Sequence, residues 1–210
     1  MDRMKIGKRV IGDGRPVFIV AEAGINHMGR LDLAVKMVRA AAAAGADAIK
    51  FQTCQVAQFL PRSNVDYDEY QRTALSESAY RTIAAAARTA GILFISTPLD
   101  ELSADLLERV GVSAYKVASC DLTHRPLLVH LASKKTPMIL STGMAELWEV
   151  MQAVAALRAA KVPGVAVLQC VSQYPAKPGN VHLRAMTTLK QALCTPVGLS
   201  DHTIGNGVVS

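Results

Sequence analysis

A chain of 210 residues can bury one substantial core and needs no second domain. Half of its residues are hydrophobic and 19% are charged, an ordinary balance for a soluble globular protein. The formal net charge of +6 is spread along the chain, which favours a solvated surface over an anion pocket, and no basic run interleaves with aromatics, so nucleic-acid binding has little support.

The first segment, 1–16, has charges but no apolar stretch of signal-peptide type, and no later run is long enough to span a bilayer. Within it, Lys5–Arg15 with its Gly12-Asp13-Gly14 turn predicts a small hairpin capping a barrel floor. From Val17 to residue 210 short β-branched runs alternate with helical patterns. Strands are predicted at Val17–Ala21, Ala48–Phe51, Leu93–Ser96, Ala114–Val117, Met138–Ser141, Ala166–Gln169 and Val197–Leu199. Between them, Leu31, Ala34, Val35, Val38 and Ala42 share one helical face ending at Gly45. Leu102, Leu106, Leu107 and Val110 form a second stripe before Gly111, and Leu147, Val150, Met151, Val154 and Leu157 a third. Such stripes are expected to face the core.

Strand–helix alternation implies a parallel sheet with right-handed crossovers. Seven strands with no GxGxxG after the first point to an α/β fold, a TIM-type (β/α) barrel stopping before the eighth strand, rather than a doubly wound sheet. That predicts a piece of a longer protein. The stretch from Cys54 to Leu75 is long for a βα connection and suits either an active-site lid or simple disorder.

In a barrel, chemistry gathers at the carboxyl ends of the strands. Glu22 and Asn26-His27 follow the first strand, and Lys50 and Gln52 end the second. Ser96-Thr97, Lys116 with Ser119 and Asp121, Ser141-Thr142-Gly143, Ser172 with Tyr174, and Ser200-Asp201-His202 continue the series. A lysine inside a parallel strand is costly to bury unpaired. Lys50 and Lys116 therefore either snorkel, pair with a carboxylate such as Glu22, or neutralise a small polyanion. Ser119, Ser172 and Ser200 would complete a phosphate cradle, although each serine alone reads equally as a helix cap. His202 is the best metal-ligand candidate, yet a lone histidine is more often structural; His27 reads either as a second ligand or as part of a helix-entry turn. Cys54, Cys120, Cys170 and Cys194 form no CxxC pair, so neither a zinc site nor a disulfide framework is suggested, and a cytoplasmic protein with reduced thiols is expected.

Seven strings together resemble the N-acetylneuraminate (sialic acid) synthase family, which includes legionaminic and pseudaminic acid synthases and spore-coat polysaccharide proteins. They are FIVAEAGINHMG at 18–29, GADAIKFQT at 45–53, GILFISTPLD at 91–100, AYKVASCDLT at 114–123, PMILSTGMA at 137–145, QCVSQYPA at 169–176 and PVGLSDHTIG at 196–205. The resemblance implies condensation of phosphoenolpyruvate with N-acetylmannosamine or a related amino-sugar aldehyde, with release of phosphate and help from Mn²⁺ or Mg²⁺. It implies that Lys50, Thr97, Lys116, Ser119, Ser172 and Ser200 hold phosphoenolpyruvate, and that Gln52 and Tyr174 face the sugar with Asp121 near its reacting end. Glu22 would sit by the reacting carbons and His202 would be one metal ligand. It also implies a homodimer and a C-terminal antifreeze-like domain, which is expected to be absent from residues 1–210.

Three positions depart from the family pattern. Cys120 stands where many members have glycine, Gln169 where histidine is common, and Ser172 where some have asparagine. Without the eighth strand and the antifreeze-like domain, residues 1–210 alone are expected to be inactive or very weak. Two other readings compete: a Schiff-base aldolase using Lys50 or Lys116, and a non-catalytic barrel fragment that binds phosphate or sugar.

Overall fold

A computed structural model describes residues 3–209; Met1, Asp2 and Ser210, at the two ends of the predicted segments, lie outside the described residues. The chain clusters into two compact units, Val17–Tyr115 and residues 1–16 with 116–210. Seven parallel strands are hydrogen-bonded in simple chain order. A doubly wound sheet reverses its strand order at a switch point, and this one does not. The repeat is that of a (β/α) barrel.

The chain opens with strands β1 (Arg3–Ile6) and β2 (Arg9–Gly12), an antiparallel hairpin. Its turn is at Gly7-Lys8, not at Gly12-Asp13-Gly14 as the glycines suggested; that tripeptide follows β2. Alternation sends Met4 and Ile6 inward, both buried, while Lys5 faces out. Met4 packs on Gly164, just before a later strand, and Lys190 pairs with Asp13 at 2.6 Å.

The unit Val17–Tyr115 holds β3 (Val20–Gly24), α1 (Leu31–Ala43), β4 (Ala48–Thr53), α2 (Val56–Phe59), α3 (Tyr67–Thr73), α4 (Glu77–Thr89), β5 (Leu93–Pro98) and α5 (Glu101–Val110). β3 begins three residues later than predicted. The ladder to β4 starts at Val20, opposite Ala48, and leaves Val17 and Ile19 exposed. Ala34 and Val38 of α1, Ile83 and Ala87 of α4 and Leu107 of α5 are buried with Phe51 of β4. Ser76 and Asp100 cap α4 and α5 by accepting from the third residue on, and Gly111 ends α5.

The other unit continues with β6 (Tyr115–Val117, from Lys116 onward), α6 (Arg125–Ser133), β7 (Met138–Ser141), α7 (Leu147–Ala159), β8 (Val165–Cys170), α8 (Ala185–Leu193) and β9 (Val197–Ser200). Val150, Val154 and Leu157 of α7 and Leu127 and Leu131 of α6 are buried. The predicted stripes hold in their centres only. Leu31, Leu102, Leu147 and Met151, all toward the N-terminal ends of their helices, are exposed. No helix among the described residues is long and apolar enough to cross a membrane.

Candidate active site

In the unit Val17–Tyr115, Glu22 and Lys50 stand opposite one another in the β3–β4 ladder, and Gln52 and Thr97 do so in the β4–β5 ladder. The pleat gives Lys50 and Gln52 one face of β4, while Phe51 between them faces the core. The Lys50 ammonium lies 2.5 Å from the Glu22 carboxylate and donates to the Thr97 hydroxyl at 3.2 Å. Its side chain is 11% exposed, whereas that of Glu22 is 52% exposed. The structure thus joins Glu22, Lys50 and Thr97, with Gln52 beside Thr97 in register. The main-chain carbonyl of Gln52 is fixed by the Tyr80 hydroxyl at 2.9 Å. Burial pushes that phenol up to about 12, so it stays a donor.

In the other unit Lys116 is buried at the end of β6. Its ammonium donates to the Ser141 hydroxyl at 2.6 Å and to the Val117 carbonyl at 2.8 Å. One helical turn, Ser119–Asp121, follows. The Ser119 hydroxyl accepts from the Gly143 N–H at 3.0 Å and donates to the Cys170 sulfur at 3.5 Å. Gly143 has no room for a side chain: a Cβ there would collide with the Ser172 hydroxyl and come within 2.9 Å of that of Ser119. The Ser119 and Ser172 hydroxyls beside Gly143 and the ammonium that donates to Ser141 are groups of a kind suited to an anion. Ser200 ends β9 opposite Cys170.

Asp121 has one carboxylate oxygen buried without a partner among the described residues. Burial lifts its carboxyl above the usual range, with His124, Cys120 and Lys116 pulling the other way. A carboxyl in that state can hold and release a proton. Tyr174, mostly exposed, stacks on His202 with ring centres 4.3 Å apart. The His202 Nδ1 faces the Val171 carbonyl at 2.9 Å and must donate to it, which leaves the lone pair on Nε2.

His27 is not a second such ligand. Its Nδ1 accepts the Gly29 N–H at 3.1 Å, so its Nε2 carries the hydrogen and has no lone pair to offer. Ser141 and Gly143 are the functional candidates whose part was not legible in the sequence. The STG string marked a polar strand end, but nothing in it says that the serine meets Lys116 or that the glycine lies against two hydroxyls.

Residues 37–210 match the sequence profile described as the NeuB family. The chain belongs to the NeuB family. An uncharacterized protein of Methanocaldococcus jannaschii is 42% identical, over 98% of this chain and 61% of that one. The N,N'-diacetyllegionaminic acid synthase of Legionella pneumophila is 39% identical, over 92% of this chain and 60% of its own length. The chain therefore spans about three fifths of the curated relatives it matches. A crystal structure described as an N-acetylneuraminic acid (sialic acid) synthetase of Leptospira borgpetersenii, in complex with citrate, superposes with a TM-score of 0.94 at 34% identity, over 99% of this chain and 72% of that chain. The fold of this NeuB-family chain is accordingly the TIM-type (β/α) barrel, with seven of its strands among the described residues.

Members of the family are expected from the resemblance to use a divalent metal. His202 fits in tautomer, with the backbone carbonyl orienting the ring as such ligands require. The donor set does not fit in number. Among the described residues no group of three or more His, Cys, Asp or Glu side chains could hold an ion.

Proposed function

We propose that this chain is the condensing barrel of a nonulosonic acid synthase. In this reading it joins C3 of phosphoenolpyruvate to the aldehyde carbon of N-acetylmannosamine or a related amino sugar and releases inorganic phosphate. The observation that carries it is the set of donors on β6 to β8: a buried Lys116 ammonium hydrogen-bonded to Ser141, and the Ser119 and Ser172 hydroxyls lying against the side-chain-free face of Gly143. The family, and relatives and a solved structure named as legionaminic and sialic acid synthases, support the same chemistry.

The enol carbon attacks the aldehyde, a C–C bond forms, and positive charge develops at C2. Water adds at C2 and one of its protons is matched by the one the new alkoxide gains; the C2 hydroxyl so formed then becomes the ketone as the bond from C2 to the bridging oxygen breaks, its proton leaving with the phosphate. Lys50, Thr97, Lys116, Ser119, Ser172 and Ser200 are proposed to bind phosphoenolpyruvate, and fixed donors of this kind act without reorganising as charge develops. Gln52 and Tyr174 are assigned to the sugar. Asp121, with its raised proton affinity, and Glu22 are assigned to proton transfer. Turnover of phosphoenolpyruvate carrying ¹⁸O in the bridge between C2 and phosphorus should deliver the label to inorganic phosphate. Label kept in the organic acid would sink the mechanism.

An imine-forming lysine must be neutral to attack. The Lys50 amine is already engaged by the Glu22 carboxylate at 2.5 Å and by the Thr97 hydroxyl at 3.2 Å, so it is held by two partners rather than free to attack a carbonyl, which argues against the Schiff-base aldolase. We also propose His202 as one ligand of a Mn²⁺ or Mg²⁺ ion whose shell needs donors beyond the described residues. Added Mn²⁺ should broaden the His202 ring resonances through its paramagnetism and leave those of His130 sharp. Equal broadening of both rings would remove His202 from this role. A homodimer belongs to the same reading, and sedimentation of the purified protein tests it.

A further inference from the structure

The segment between β4 and α4 is held at both ends. At its start the Gln55 N–H donates to the buried Asp100 carboxylate at 2.7 Å, the same carboxylate that caps α5. In its middle the rings of Phe59 on α2 and Tyr70 on α3 pack 5.3 Å apart. At its end α3 abuts the turn between β3 and α1. Gly29, at φ +74°, lies so close to the Arg72 carbonyl that any Cβ there would collide with it, and Thr73 beside it is buried. That turn is fixed by His27, a fully buried ring 5.8 Å from Phe51 whose Nδ1 accepts the Gly29 N–H at 3.1 Å.

We propose that His27 is a positioning residue: its neutral ring holds Gly29 against the end of α3, and so keeps the segment 54–75 seated at the carboxyl ends of β3 and β4. Lys50 and Gln52 lie on β4 at the root of this segment, and Glu22 on β3. A proton on Nδ1 would remove the acceptor and set two N–H groups facing one another. Burial already holds the His27 pKa below the usual imidazole value, and it is the cause of that lowering. The charged groups on the elements around it are Glu22 on β3, Lys50 on β4, Arg30 before α1 with Asp32, Lys36 and Arg39 on it, and Asp68, Glu69 and Arg72 on α3.

The seated state binds fewer protons at His27 than the unseated one, so seating strengthens as pH rises. It is fully present above the free-imidazole value of about 6.5 and weakens as pH falls below it, by at most about tenfold at pH 5.5. The inference does not require the proposed reaction, since its readout is the seating of a segment and not turnover.

Hydrogen exchange on the whole chain tests it, with intrinsic rates corrected for pH. Protection of amides 67–73 should fall several-fold, up to about tenfold, between pH 7.5 and 5.5, while β4 and β5 stay protected. His27→Gln keeps an acceptor for the Gly29 N–H but cannot titrate, so α3 should stay protected at both pH values. Gly29→Ala should strip that protection at both, again sparing β4 and β5, and it decides the matter if the glutamine variant does not fold. Wild-type protection that ignores pH, a glutamine variant that keeps the wild-type pH dependence, or an alanine variant with α3 still protected would each overturn the proposal.

Discussion

Lys116→Met should weaken phosphoenolpyruvate binding by about 10²-fold while leaving the fold as stable as before, or more so. The ammonium donates at 2.6 and 2.8 Å to Ser141 and Val117, and the residue is only 6% exposed. A hydrogen bond from such a charged group to an anion contributes about 1.5–3 kcal/mol, and the upper half of that range is the expected loss. Methionine fills much of the same volume, and the relief from desolvating a buried charge offsets the donor that Ser141 and the Val117 carbonyl lose. Loss of affinity without loss of stability separates a group kept for function from one kept for structure. Lys116 also pulls the Asp121 carboxyl down against its burial, so the substitution should let that carboxyl rise further. Calorimetry with phosphoenolpyruvate at fixed ionic strength, beside urea unfolding, gives both numbers. Affinity within threefold of wild type would remove Lys116 from the site.

The fold was legible where a pattern repeats and obscure where one position decides. β-branched runs and helical stripes placed all seven parallel strands, because each crossover must bury an apolar face on the sheet. The start of β3 was misplaced because VFIV is uniformly apolar and gives no register; pairing with β4 sets it, and Val17 and Ile19 are left outside. The hairpin turn was misplaced for a related reason. Gly7-Lys8 is a quieter turn signal than Gly12-Asp13-Gly14, yet it is the one that sets Met4 and Ile6 on the buried side.

The sequence of segment 54–75 suits a lid and disorder equally, and the segment contains α2 and α3. A helical signal was present in Tyr67 and Tyr70 three apart, acidic residues in the first turn and Arg72 in the last. At seven residues it is too short to stand on propensity alone. The site divides in the same way. Lysines and serines at strand ends are visible in the sequence, because the pattern fixes which end of each strand carries them. Which hydroxyl meets which amine depends on side-chain reach across neighbouring strands, and the Lys116–Ser141 bond is of that kind.

Gly143→Ala is the sharper test of the anion cradle, because it adds one methyl group and removes no charge. The added Cβ would collide with the Ser172 hydroxyl and lie 2.9 Å from that of Ser119. The backbone at 143 is not among the left-handed residues, so alanine meets no conformational penalty there. What must yield is a serine rotamer, which costs little in stability but swings a hydroxyl away from an anion. Phosphoenolpyruvate affinity should therefore fall about tenfold or more, the weight of one such hydrogen bond, with the unfolding midpoint little changed. Ser172→Ala should lose a similar amount. Adding Gly143→Ala to it should then cost distinctly less than Gly143→Ala alone, since the first collision is gone and only Ser119 remains to be displaced. Full additivity of the two substitutions, or an unaltered affinity in Gly143→Ala, would mean that Ser119 and Ser172 do not act together on the anion.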